Sequence, residues 1–189
     1  MKKGIWIAVG AIVLLLSGIL GTAISEYNQA IRMNETVKAQ WAQVENQLKR
    51  RFDLIPNLVE TVKGYAAHEK EVFTAIAEAR KSYFSAQSVN DKAKAAGEME
   101  GAISRLLLLQ ERYPDLKANE SFLKLQDSLE GTENRIAVER MRYNEAVKTL
   151  NAYVKSFFGR FFAAWAGVGQ AEYFNVPEAE QAAPKVTFK

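Results

Sequence analysis

The stretch GIWIAVGAIVLLLSGILGTAISEYNQAIRMNETVKAQWAQVENQL, residues 4–48, decides how this chain is read. Its first half, residues 4–25, carries no charged side chain and is dominated by Ile, Val, Leu, Ala and Trp. About 20 residues rising about 1.5 Å each cover a hydrocarbon core of about 30 Å, so this run is long enough to cross a bilayer as one helix. Trp6 fits the interface near one end. In the second half Ile31, Val37, Trp41, Val44 and Leu48 recur on one helical stripe, while Glu35, Lys38, Glu45 and Lys49 fall away from it. Helical periodicity resumes at Tyr27 without a breaker, which predicts an anchor that runs straight into the following domain. A cleaved secretory signal is the competing reading, with Lys2 and Lys3 as its basic region and Gly21, Thr22 and Ala23 as a small-residue site. The length of the apolar run and its unbroken continuation favour retention.

Working outward, Arg50, Arg51 and Asp53 precede Pro56, which cannot donate a backbone hydrogen bond and predicts a bend or restart. Leu58, Val62, Tyr65, Val72, Ile76 and Tyr83 then keep a helical period, with Gly64 a weak point inside it. Ser88, Asn90 and Asp91 favour turns or caps, so a connection belongs at residues 85–91. A third helix carries Ala96, Met99, Ile103, Leu106 and Tyr113 until Pro114 stops it, and Asp115 or Asn119 can cap the next. The fourth and longest follows Phe122, Leu125, Leu129, Ile136, Tyr143, Val147, Leu150, Val154 and Phe157. The 11 glycines and 4 prolines leave these stretches uninterrupted, which excludes a fold of many short strands. The expectation is all-α: a transmembrane anchor at 1–25, a helical bundle at 26–158, an aromatic amphipathic segment at 159–176 and an irregular tail at 177–189.

The aromatic segment differs in kind from the rest. Phe157, Phe158, Phe161, Phe162, Trp165, Tyr173 and Phe174 are too many for a solvated tail, and something must cover them: the bundle, a neighbouring subunit or a membrane surface.

Charge and composition exclude several functions. Of 25 basic groups Lys2 and Lys3 lie ahead of the apolar run, leaving 23 against 22 acidic ones, and a nearly neutral domain lacks the basic field that nucleic-acid binding needs. With no cysteine there are no disulfides, thiolate metal sites or cysteine nucleophiles. The one histidine, His68, lacks the Glu-x-x-His spacing of helical-bundle metal sites, since Tyr65 stands three residues before it. It is expected as a partly buried side chain hydrogen-bonded within the bundle. Phosphate loops, nucleophile elbows and His-Glu-x-x-His helices are missing from the sequence, so no catalytic, cofactor-binding or metal-binding residue is expected. The run Lys49-Arg50-Arg51 could bind lipid headgroups, but Asp53, Glu60 and the acidic residues of other helices offer structural partners for an arginine fork. Trp41 is expected in the core. Asn28, Asn34, Asn144 and Asn151 lie on or beside apolar stripes and need partners, which a network among them would supply.

Three segments carry a resemblance: LKRRFDLIPNLVETVKGYAAHE at 48–69, ERYPDLKAN at 111–119 and RYN at 142–144. In this order they resemble the LemA family of bacterial membrane proteins, over residues 27–151 and again at Tyr173-Phe174 and 184–188. The resemblance implies an N-terminal membrane helix followed by an antiparallel bundle of about four long helices, and it supplies no reaction. One departure is the run FFGRFF at 157–162, where the family carries a proline-containing apolar stretch. The functional expectation is a scaffold in the bacterial inner membrane, anchored in the lipid bilayer through residues 4–25. Basic residues beside the span place its N-terminus in the cytoplasm and its domain on the periplasmic side. It would self-associate as a homo-oligomer and bind or organise other envelope proteins. The alternative is a monomeric membrane-tethered binding module for a protein or peptide. Trp41, Arg50, Arg51, Asp53, His68, Phe161, Phe162 and Trp165 are the candidates for interaction or for a structural network.

Overall fold

The computed structural model describes residues 2–175, and these are all-α, without a strand among them. The tail expected from residue 177, with Val186 and Phe188, lies outside the described residues. Helices α1 (Lys2–Ala66), α2 (Lys70–Ser85) and α3 (Val89–Leu107) are followed by a 3-10 turn (Leu108–Glu111), the short α4 (Pro114–Lys117), α5 (Glu120–Lys155) and α6 (Gly159–Trp165).

The restart expected at Pro56 does not occur: α1 passes through it. Val44, Leu48, Phe52, Ile55, Leu58, Val62 and Ala66 are all buried at spacings of three and four, so the stripe stays in phase across the proline. A restart would turn that stripe off the core. Burying each large side chain is worth about 1.5–3 kcal/mol, against about 3 kcal/mol for one interior proline, and Pro56 itself lies on the exposed face. The chain breaks instead at residues 67–69, beyond Gly64, where the Glu69 amide donates to the Ala66 carbonyl at 3.1 Å.

The other boundaries follow local chemistry. Ser88 caps α3, its hydroxyl oxygen accepting from the Asp91 amide at 3.0 Å. Tyr113, kept out of the helical region at φ −125° by the following proline, separates the 3-10 turn from α4, and Pro114 opens α4 where its missing N–H costs nothing. Of the two residues offered for the next cap, Asn119 does it: its Oδ1 accepts from the Phe122 amide at 2.9 Å.

The chain packs as two compact units, one formed by Met1–Gln40 with Glu145–Ala171, the other by Trp41–Asn144 with the described part of Glu172–Lys189. The second unit is an up-down-up-down bundle. Phe52 meets Tyr83 and Lys63 lies over Phe73, so α2 runs antiparallel to α1. Glu45 pairs with Lys92 and Arg51 with Glu100, so α3 runs parallel to it. Tyr65 meets Asn119 and Trp41 meets Tyr143, so α5 is antiparallel again. In the first unit Ala30 and Val37 of α1 and Val147 and Leu150 of α5 are buried, and the Tyr153 hydroxyl lies 2.9 Å from the Glu26 carbonyl oxygen.

Candidate functional site

Arg51 is a buried charged group of the second unit. It projects from the buried stripe of α1, its side chain is 6% exposed, and it forms ion pairs with Glu100 of α3 and Glu133 of α5. Burial draws its pKa below the ordinary arginine value and the adjacent Glu100 draws it up. The two carboxylates are 41% and 45% exposed, so the cation is inside and the anions reach it from the rim. This ties three helices at one level, beside a cavity of about 70 Å³ that Arg51, Glu100, Glu133, Met99 and Phe174 line.

Below it in the same unit, Trp41 is half-buried, with ring centroids 5.3 Å from Tyr143 and 5.9 Å from Phe174. The segment carrying Phe174 is held by α5 in two ways. Asn144 makes a two-point amide contact with the Phe174 backbone, donating from Nδ2 to the carbonyl at 3.1 Å and accepting from the amide at 2.9 Å. Tyr143 donates its hydroxyl to the Glu172 carbonyl at 2.7 Å, and burial, with the Glu172 charge adding, pushes its pKa up to about 12. The Arg140 guanidinium lies 4.9 Å from the Phe174 ring centre. An extended segment offers unpaired N–H and C=O groups, and an asparagine side chain matches both at once.

The first unit repeats the device. Asn151 donates to the Ala171 carbonyl at 2.9 Å and accepts from the Ala171 amide at 2.8 Å. Tyr153 also lies 3.0 Å from the Glu26 carboxylate; burial first, then that hydrogen bond, pushes its pKa up to about 12. A Cβ at Gly159 would collide with the Tyr153 backbone carbonyl, so α6 can begin this close to the end of α5 only with glycine there. It ends in a Schellman motif: Gly167 takes φ +67°, its amide donates to Ala164, and the amide of buried Val168 donates to Ala163 at 2.8 Å. In this helix and the turn before it Phe157, Phe158, Phe161 and Trp165 stay 57–69% exposed. Phe162 is half-buried, and the Trp165 and Tyr27 rings meet edge to face with centroids 5.1 Å apart.

The sequence candidates thus separate. Arg51 and Trp41 hold the bundle, while Arg50, Asp53 and His68 are exposed, and Glu60 pairs with Lys63 rather than with the arginine. His68 sits in the turn after α1, not within the bundle as expected. The asparagine network is also different: Asn144 and Asn151 bind backbone rather than each other, Asn28 is exposed, and Asn34 is half-buried. Sequence reading passed over Tyr153, Gly159 and Glu133. Only Gly159 left a trace, as the small residue inside an aromatic run. Among the described residues no three acidic or histidine side chains converge as a metal site would require.

The profile of the LemA family matches residues 40–188. The chain belongs to the LemA family. Its relatives include two Paramagnetospirillum magneticum proteins, magnetosome proteins MamQ 1 and MamQ 2, each 26% identical over an alignment covering 86% of this chain and 70% of the relative. The magnetosome protein MamQ of Magnetospirillum gryphiswaldense is 25% identical over the same shares. The matched residues hold the Arg51 ion pairs and the Asn144 contact, whereas the uncharged run at 4–25 precedes them. Family membership, these relatives and an N-terminal helix long and apolar enough to cross a membrane make this a membrane-associated helical protein.

Proposed function

We propose that this LemA-family protein is a non-enzymatic scaffold that crosses the bacterial inner membrane once, through residues 4–25, and presents its helical bundle on the periplasmic side. The observation that carries the crossing is the condition of the span. Its described side chains from Trp6 to Ile24 include large apolar groups 51–75% exposed. Two hydroxyls inside it are returned to the helix, Ser17 to the Val13 carbonyl at 2.8 Å and Thr22 to the Gly18 carbonyl at 2.5 Å. A segment in hydrocarbon must satisfy its polar groups internally, as Ser17 and Thr22 do here, while it offers lipid an apolar surface. A cysteine placed at Gln170 should be labelled from outside by an impermeant thiol reagent; labelling only after lysis would reverse the sidedness.

Self-association is supported by side chains that the bundle leaves uncovered: Phe84, Leu108 and Met141 are 55%, 63% and 66% exposed. The Arg51, Asn144 and Asn151 side chains meanwhile bind glutamates and backbone, which leaves contact surfaces to carry the function. The relatives are named as magnetosome proteins, and membrane association is what we carry over from them. Mass measurement of the full-length protein in mild detergent should give particles holding more than one copy. A strictly monomeric particle would overturn the assembly and favour a tethered binding module.

A further inference from the structure

We propose that α6 and the turn before it form a second membrane contact, a shallow insertion into the same bilayer that α1 crosses, with Arg160 at the level of the lipid phosphates. This rests on the crossing by residues 4–25. Phe157, Phe158 and Phe162 line a groove of about 450 Å³ whose other wall is Ile19, Thr22, Ala23 and Glu26, the end of the uncharged run and the first charge after it. Trp165 reaches Tyr27, two residues past that run. At about 1.5 Å per residue, Ile19 to Glu26 covers about 10 Å, the depth to which interfacial amphipathic segments bury, about 5–10 Å. The aromatic turn therefore stands beside the stretch where the span leaves hydrocarbon for headgroups.

Its surface has the chemistry of that zone. Phe157, Phe158, Phe161 and Trp165 face outward within a first unit whose own apolar exposure is the span itself, so the patch continues a lipid-facing surface. Arg160 lies 5.3 Å and 4.8 Å from the ring centres of Phe157 and Phe161, which sets a cation among phenyl groups, as an acyl boundary under anionic phosphates requires. The acidic residue of the groove, Glu26, is turned to the Tyr153 hydroxyl. A glycine-dependent start and a Schellman stop fix the turn, so these side chains are held out by backbone geometry rather than left loose.

The full-length protein in phosphatidylcholine–phosphatidylglycerol vesicles tests this by quenching with brominated lipids. Two variants each keep one tryptophan: W6F/W41F leaves Trp165, and W41F/W165F leaves Trp6 in the anchor. Trp165 should be quenched several-fold more by lipids brominated near the headgroup than by lipids brominated at the chain end, with Trp6 quenched as well. Quenching of Trp6 but not Trp165 overturns the second contact and leaves the crossing intact, whereas quenching of neither removes the crossing itself. Protection of Trp165 from both bromolipid and aqueous iodide would place it between copies of the chain and overturn the proposal. Should W41F unfold the bundle, F161C carrying a polarity-sensitive dye gives the same depth readout, since the chain has no other cysteine.

Discussion

Removing Arg51 should cost far less than removing its partners. The guanidinium is 6% exposed and Glu100 and Glu133 are each more than two-fifths exposed, so the three charges have unequal access to water when the ion pairs are broken. At contact distance each carboxylate attracts the cation by about 4 kcal/mol at an effective dielectric constant near 20. Desolvating a buried cation costs several kcal/mol, so with both carboxylates present attraction and desolvation roughly offset. Glu100→Gln with Glu133→Gln leaves the cation buried and uncompensated, at about 3–5 kcal/mol, the usual cost of orphaning a buried charge. Arg51→Met leaves two carboxylates that turn to water and fills most of the volume with apolar stem, at about 1 kcal/mol or less. In a chain of this size 1 kcal/mol moves the melting temperature by about 2–4 °C. Thermal unfolding of the full-length protein in mild detergent, followed by circular dichroism, should show the double glutamine variant lower by about 10 °C and Arg51→Met within a few degrees of wild type. If Arg51→Met fell as far as the double variant, the ion pairs would be net stabilising and the reasoning from unequal burial would be wrong.

Two further outcomes concern Asn144 and the buried tyrosines Tyr83 and Tyr143. Asn144→Ala removes both hydrogen bonds to Phe174 and should cost about 1–3 kcal/mol, while Asn144→Asp keeps the acceptor for the Phe174 amide and should lose less; limited proteolysis should cut near Phe174 in the alanine variant first, and equal resistance in all three proteins would argue against the contact. Tyr83 and Tyr143 both have pKa values pushed from 10.0 up to about 12, chiefly by burial, so the folded state favours their neutral form. That stability is fully present below about pH 10 and is lost as pH rises towards about 12. Tyr143→Phe should flatten this alkaline loss in a melting series, and an unchanged slope would show that its hydroxyl does not titrate with unfolding.

Most of the helices were legible because their signals are local. The Ser88 cap, the Tyr113-Pro114 break and the long apolar period of α5 each depend on residues within a few positions of one another. Pro56 misled for the opposite reason. Its intrinsic cost is local, whereas what outweighs it is the burial of Phe52, Ile55, Leu58 and Val62 against other helices, which no nearby residue announces. The sites divide along the same line. Arg51 was recognisable as an arginine suited to a carboxylate pair, but its partners stand 49 and 82 positions away on other helices, and periodicity does not rank one glutamate above another. Asn144 and Asn151 were visible as polar residues on apolar stripes, though not as holders of backbone at 174 and 171.

By itself the order of residues determined that the chain is all-α, that it starts with a run able to cross a bilayer, and that the family segments lie beyond it. These depend on hydropathy and on spacings of three, four and seven, which any helix reports along its own length. Tertiary structure alone decided that α1 ignores its proline, that Arg51 is enclosed while its glutamates are not, and that Phe157, Phe158 and Phe161 stand outward beside the end of the uncharged run. Burial and pairing between distant segments depend on which surfaces meet, and a one-dimensional pattern fixes the face of each helix without fixing its neighbour.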